Sequence, residues 1–306
     1  IREGLLPKDL AKELMKFLES SDEDLREEAW FRADDLIEVG LFTRDDAKDF
    51  LKFLESSDED VRQDAWYRVG KLVQGGVLTP EEVKERKKHL FELLESRNED
   101  VRAWARNSVD DLLDYGVFTR DDAKDFLKLL ESSDEDVRLW AWYRVDKLIE
   151  REVLTLDEVK ERKKYFLELL ESKNKDVRER AWNAVGNLVV IGVFTRDDAK
   201  DFLKFLESSE EGVRSRAWLR VDDLIEGGVL TLDEVKERKK YFLELLESKN
   251  KDVRERAWNA VGNLVVIGVF TRDDAKDFLK FLESSEEGVR SRAWLRVDDL
   301  IEGGVL

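Results

Sequence analysis

Residues 43–76 read TRDDAKDFLKFLESSDEDVRQDAWYRVGKLVQGG, and this pattern returns along the whole chain. The opening octapeptide TRDDAKDF starts again at Thr119, Thr195 and Thr271, each 76 residues after the last. Repetition at a fixed stride of this size points to a stacked array rather than to one closed globule. Each 76-residue stride divides into two related halves. Boundaries fall at Pro7, Thr43, Thr79, Thr119, Thr155, Thr195, Thr231 and Thr271, with halves of 36 residues alternating with halves of 40. The first half, from Pro7, ends like a long one but has 36.

Each half reads as two helices. Thr43 stands as an N-cap with Asp45 and Asp46 in the first turn, where carboxylates favour the helix dipole. Thr79-Pro80-Glu81-Glu82 is a stronger start, a capping box with proline at the first helical position, and Leu78 with Val83 predicts a hydrophobic staple. Ala47, Phe50, Leu51 and Leu54 follow the spacing of a core-facing helix. The turn ESSDED offers Ser57 or Asp58 as the next cap. Val61, Ala65, Val69, Leu72 and Val73 then line one face of a second helix that stops at Gly75-Gly76. The four extra residues of the long halves predict one more turn in the first helix. No such pair can bury its apolar face alone, so neighbours must share a core.

The second helix carries a specific resemblance. Asp60-Val61-Arg62 recurs as Asp100-Val101-Arg102, Asp136-Val137-Arg138, Asp176-Val177-Arg178 and Asp252-Val253-Arg254. With the alanine three residues on, this resembles the HEAT-repeat pattern of the armadillo/HEAT superfamily. Gly212-Val213-Arg214 and Gly288-Val289-Arg290 depart from it, which breaks any aspartate rung between neighbours there; Asp24-Leu25-Arg26 is a mild variant. The resemblance implies an all-α fold, a right-handed α-solenoid of eight HEAT-like helix pairs forming a single repeat domain over residues 1–306. Arrays of this kind mostly serve as binding scaffolds.

Composition narrows the partners. The chain has 306 residues, 41% charged and 42% hydrophobic, no cysteine and a formal charge of −18. Disulfides and thiolate metal sites are excluded, and a nucleic-acid backbone would be repelled. No apolar run approaches the roughly 20 residues that span a bilayer. The expectation is a cytoplasmic protein that binds neither membrane nor nucleic acid and carries no cofactor. Abundant Lys and Glu with scarce Met and no Cys resembles a thermophile composition, and equally a designed one. Residues 155–230 and 231–306 are identical at every position, which points to recent duplication or to engineering, and the chain opens and closes at one phase of the repeat. The expectation is a fragment of a natural array, extended deliberately, whose uncapped ends allow end-to-end self-association.

Several positions invite a chemical reading. Some HEAT-like enzymes, the deoxyhypusine hydroxylases, hold iron through several histidines; this chain has only His89, whose equivalents are Tyr165 and Tyr241, so a surface position is expected. Asp45, Asp46 and Asp49 lack the spacing of a calcium loop and are accounted for by the helix start. Trp66, Trp142, Trp182, Trp218, Trp258 and Trp294 share one repeat position. HEAT-like DNA glycosylases use tryptophan in a cleft, but the helical wheel puts this position at the core edge, against the next unit. The tract Lys84-Glu85-Arg86-Lys87-Lys88, repeated from Lys160 and Lys236, reads as a solvated face, with an anion-binding ridge as the alternative.

The residue after each tryptophan faces away from the core, on the side that in HEAT-like arrays lines the concave surface. There stand Phe31, Tyr67, Tyr143, Leu219 and Leu295, near Asp110, Asp146, Asp222 and Asp298; Leu139 and Trp140 add to the stretch LWAWY. Apolar groups rimmed by acid predict a groove for a basic or amphipathic protein or peptide segment. The competing expectation is that tight curvature buries these groups. The resulting reading is a non-enzymatic interaction scaffold. The alternatives are an extended array with no native partner and, more remotely, a HEAT-like DNA-repair enzyme.

Overall fold

The structure, a computed structural model, describes residues 10–306; the boundary at Pro7 lies outside them. The described residues are helical throughout, with no strand among them. They form two compact units, one running to Trp140 and including Lys147–Leu154, the other Ala141–Asp146 with Thr155–Leu306.

The repeat frame follows from the caps. In the hairpin from Thr43, the Asp46 carboxylate accepts from the Thr43 N–H at 2.9 Å, so aspartate closes a capping box in the short hairpins as glutamate does in the long ones. Helix Arg44–Phe50 passes into a 3-10 turn, Leu51–Glu55. Asp58 caps the second helix, Glu59–Gln74, by accepting from the Asp60 and Val61 amides. Gly76, at φ +68°, ends it in the left-handed conformation that only glycine adopts without strain, and the Val77 N–H returns to the Leu72 carbonyl at 2.9 Å. The arginine of the HEAT-like motif acts locally, since Arg62 Nη1 donates to the Ser56 carbonyl of its own turn at 2.7 Å.

The core is shared between neighbours. Ala47, Phe50, Leu51, Leu54, Val61, Ala65, Val69 and Leu72 are all buried. In the first unit, Trp30 meets Phe50 and Phe53 of the next hairpin edge to face. In the second, Trp182 meets Phe202 and Phe205, and Trp258 meets Phe278 and Phe281. Trp66, Trp182, Trp218 and Trp258 each donate the indole N–H to a carbonyl at the end of their own first helix, at 3.1–3.2 Å. One side chain thus closes its own hairpin and fills its neighbour. Trp294, in the last hairpin of this chain, is 60% exposed.

Two local expectations fail. The extension of the long halves does not add a turn to one continuous helix. It splits that helix into Pro80–Lys84 and Lys87–Leu94, and likewise Leu156–Lys160 from Lys163–Leu170 and Leu232–Lys236 from Lys239–Leu246. At the break the Arg86 N–H bonds to Val83, three residues back, while its guanidinium takes the Glu82 carbonyl at 2.8 Å; Arg162 and Arg238 do the same. The second helices also break after Trp142, Trp218 and Leu295. An arginine lies at each break, yet Arg68 holds the same place within an unbroken helix, so the arginine alone is not the cause.

Candidate functional site

The octapeptide is a connector between hairpins. Its arginine pairs forward: Arg44 meets Glu82 through two parallel bonds of 2.7 and 2.8 Å, and Arg196 meets Glu234 at 2.6 and 2.7 Å. Its second aspartate pairs backward. Asp122, fully buried, accepts from the Thr119 N–H at 2.7 Å and from Lys87 Nζ at 2.5 Å, with Lys84 at 3.2 Å. Lys163 reaches Asp198, and Lys239 reaches Asp274. The basic tract is therefore a solvated face in part: Lys88, Lys164 and Lys240 are exposed, while other members pair within the array. Lys84, Lys87, Lys163 and Lys239 reach the buried cap of the next hairpin, and Arg86 and Arg238 pair with Glu55 and Glu207 behind them. Burial pushes the Asp122 carboxyl up, but the bonds from Lys87, Thr119 and Lys84 outweigh it and hold it below the usual range.

The exposed patch expected at LWAWY does not exist: Leu139 and Trp140 are buried. Elsewhere on this face second helices approach closely. A Cβ on Gly70 would stand 3.3 Å from Asp111 Cβ, and one on Gly186 3.0 Å from an Asp223 oxygen. At that separation, large groups on the outward flank lean on the next hairpin. Tyr67 packs edge to face on Trp104, with ring centres 4.9 Å apart. Half-buried Tyr143 donates its hydroxyl to the Arg180 carbonyl at 2.6 Å. Asp146 and Asp222 accept from Asn187 and Asn263, at 3.3 and 2.7 Å. Leu219 and Asp110 are half-buried. Of the predicted residues, Phe31, Asp146, Leu295 and Asp298 are exposed on this face, Asp146 while bonded to Asn187.

Phe31, 58% exposed, lies at a pocket of about 480 Å³ in the first unit. Glu23, Glu27, Asp60 and Asp64 line it with Arg26 and Arg68. Arg68 is engaged already: it pairs with Asp34 at 2.8 Å and Asp64 at 3.2 Å, and its guanidinium covers the Trp30 ring at 4.8 Å. Arg26 lies 4.0 Å from Asp60. Glu23 and Glu27 form no ion pair among the described residues, so the pocket is left with excess acid. Burial holds the Asp64 carboxyl above its usual range despite Arg68. Sequence reading named Phe31 but missed these carboxylates, which stand on two successive hairpins.

Other candidates resolve as ordinary surface. His89 Nδ1 sits 3.3 Å from Glu92, and Tyr165 and Tyr241, at the same repeat position, lie under lysine ammonium groups at 4.7 Å. No group of three His, Cys, Asp or Glu side chains placed to hold a metal ion occurs among the described residues. No helix among them is long and apolar enough to cross a membrane.

No protein-family model and no curated protein sequence matches the chain. Solved structures do. The chain is similar to Kap95p, seen with RanGDP, at a TM-score of 0.61 and 14% identity, with 96% of this chain and 41% of that one covered. It is similar to Cex1p at 0.60 and 14%, covering 97% and 60%. A chain of the AP-3 complex in an intermediate open conformation follows at 0.58 and 15%, covering 96% and 50%. The fold is that of the HEAT/armadillo-type helical solenoids. At such identity the likeness concerns the fold alone, and this chain spans only part of each neighbour's length.

Proposed function

We propose that the chain is a non-enzymatic scaffold, one repeat domain that binds protein segments along the outward face of its second helices. Its first unit takes a basic amphipathic segment at the Phe31 pocket. The observation that carries this is an exposed aromatic ring beside four carboxylates, of which Glu23 and Glu27 have no cationic partner. An apolar side chain of the partner covers Phe31 while lysine or arginine neutralises the acid. Helical-solenoid neighbours support a protein partner: the karyopherin Kap121p is seen bound to the SUMO protease Ulp1p and to Pho4p.

Anisotropy titration with a labelled Lys/Leu amphipathic peptide tests the reading. Phe31→Ala should weaken binding about tenfold, and Glu27→Lys should do the same while flattening the salt dependence. Unchanged affinity in both variants would overturn it.

A second reading is self-association through Trp294, which is 60% exposed at the repeat position where Trp182, Trp218 and Trp258 are buried. Sedimentation that shifts with concentration, and stops shifting in Trp294→Glu, would favour it. The exact duplication of residues 155–230 fits an extended array. A base-stacking cleft fits poorly, because Trp30, Trp66, Trp142, Trp182, Trp218 and Trp258 are fully buried.

A further inference from the structure

In the second unit, the repeat position that faces an arginine of the following second helix alternates between glutamate and serine: Glu179, Ser215, Glu255, Ser291. Arg216 pairs with Glu179 of the hairpin before it, and Arg292 pairs with Glu255 in the same relation. Arg256 holds the equivalent place in the hairpin between. Its partner position is Ser215, whose hydroxyl accepts at 2.8 Å and brings no charge. Among the described residues Arg256 forms no ion pair. The same hairpin drops a second acid. Gly212 stands where Asp60, Asp100, Asp136, Asp176 and Asp252 stand elsewhere, and Arg178 Nη2 lies 3.4 Å from where a Cβ on Gly212 would be. In the first unit, by contrast, Arg26 has Asp60 at this position.

The two omissions open a cavity of about 130 Å³ lined by Lys175, Arg178, Gly212, Arg216, Asn250, Asp252, Val253 and Arg256. Four cations face it against one carboxylate in the lining, Asp252, which already holds Lys175 at 3.5 Å. Ser215, which anchors Arg256, is itself buried. Burial pushes the guanidinium pKa values of Arg216 and Arg256 down; neighbouring arginines add to the push, and Glu179, with Asp252 in the case of Arg256, opposes it without cancelling it. A partly buried guanidinium without an ion pair, as at Arg256, is costly, and a bound oxyanion relieves that cost through charge-assisted bonds. On a chain of net charge −18, a positive cavity of this kind is a local feature and not part of a general field.

The geometry points to a binding site for a single phosphate group in the cavity around Gly212, supplied either as inorganic phosphate or as a phosphorylated side chain of a protein. Arg178 and Arg256 are the principal donors, with Arg216 and Lys175 completing the charge. The site is independent of the Phe31 pocket, which lies in the other unit.

Isothermal titration at constant ionic strength, set with chloride, tests it with two probes: inorganic phosphate and a phosphoserine hexapeptide beside its serine form. The wild-type chain should bind at least one probe saturably, and the better probe identifies the source. Gly212→Asp introduces the carboxylate that Asp60, Asp100, Asp136, Asp176 and Asp252 supply in other hairpins, and should weaken binding by at least about tenfold with the fold intact. Arg256→Met should weaken it similarly. Gly288→Asp, the same charge change outside the cavity, should leave it unchanged. No binding of either probe by the wild type, or equal binding by wild type and Gly212→Asp, would overturn the assignment.

Discussion

At one repeat position the second unit carries arginine throughout, while the first carries acid in two hairpins and tryptophan in two. Two residues before the tryptophan position, the first unit has Glu28, Asp64, Trp104 and Trp140; the second has Arg180, Arg216, Arg256 and Arg292. The frame beneath is common to both. Capping boxes begin the first helices, tryptophans close the hairpins, and lysines cross to buried aspartates in each unit. Packing therefore fixes the repeat, while the outward face of the second helix is free to change sign. An acidic pocket beside Phe31 and a basic one at Gly212 are two outcomes of that freedom.

If the frame is common, removing it should cost the same in either unit. Trp66→Ala and Trp258→Ala each delete a buried indole, and each should lower unfolding stability by about 3–5 kcal/mol in denaturant titrations. Trp294→Ala, at the same repeat position but exposed, should cost under about 1 kcal/mol. A large gap between the first two would mean that the units do not share one frame. Next comes Asp122→Ala, which strands Lys87 and opens the Thr119 cap, and should cost about 2–4 kcal/mol.

Acid should act on both units through the caps. The Glu234 carboxyl is held down to about 2, chiefly by Arg196 and by the Thr231 amide against a partial burial cost, and Asp122 and Glu82 are also lowered. A carboxylate with a depressed folded pKa stabilises fully above its unfolded value, near 4, and loses that contribution as pH falls through the folded value. Stability should therefore decline between about pH 4 and pH 2, and Arg196→Met should shrink the decline, as followed by circular dichroism.

The smallest effects sharpen the comparison by raising stability. Glu152 occupies, at φ +59°, the left-handed position that glycines hold in the neighbouring hairpins. Glu152→Gly should stabilise the first unit by about 0.5–1 kcal/mol, because the strain relieved exceeds the entropy lost. Gly212→Asp should stabilise the second by a similar, roughly 0.5–1 kcal/mol, step, through helix propensity and a carboxylate in the first turn. Thermal unfolding measures both.

The repeat, its caps and its core were legible in the sequence because each depends on residues within one hairpin. Thr43 with Asp46, Asp58, Gly76 and the Ala47 to Leu54 stripe can be read locally, and the tryptophan's place at the core edge follows from one helical wheel. The outward face was misread because its burial is decided by residues about 40 positions away. Gly70 opposite Asp111 and Gly186 opposite Asp223 bring second helices close enough to change what is exposed, and no single wheel contains that fact. The lysine tract was misread in part for the same reason, since its partners lie in the next hairpin's cap. Aligning the hairpins residue by residue carries a usable signal. Gly212 was visible there as a departure; Ser215, opposite Arg256, completes it.

Chemical-shift mapping of the amide-labelled chain tests the opposed faces most directly, with the Lys/Leu peptide and with phosphate added separately. The peptide should shift amides around Glu23–Phe31 and Asp60–Arg68, and phosphate should shift those around Lys175–Arg178, Gly212–Arg216 and Asn250–Arg256. Both probes shifting the same set of amides, or neither shifting these segments, would contradict the opposition of the two faces.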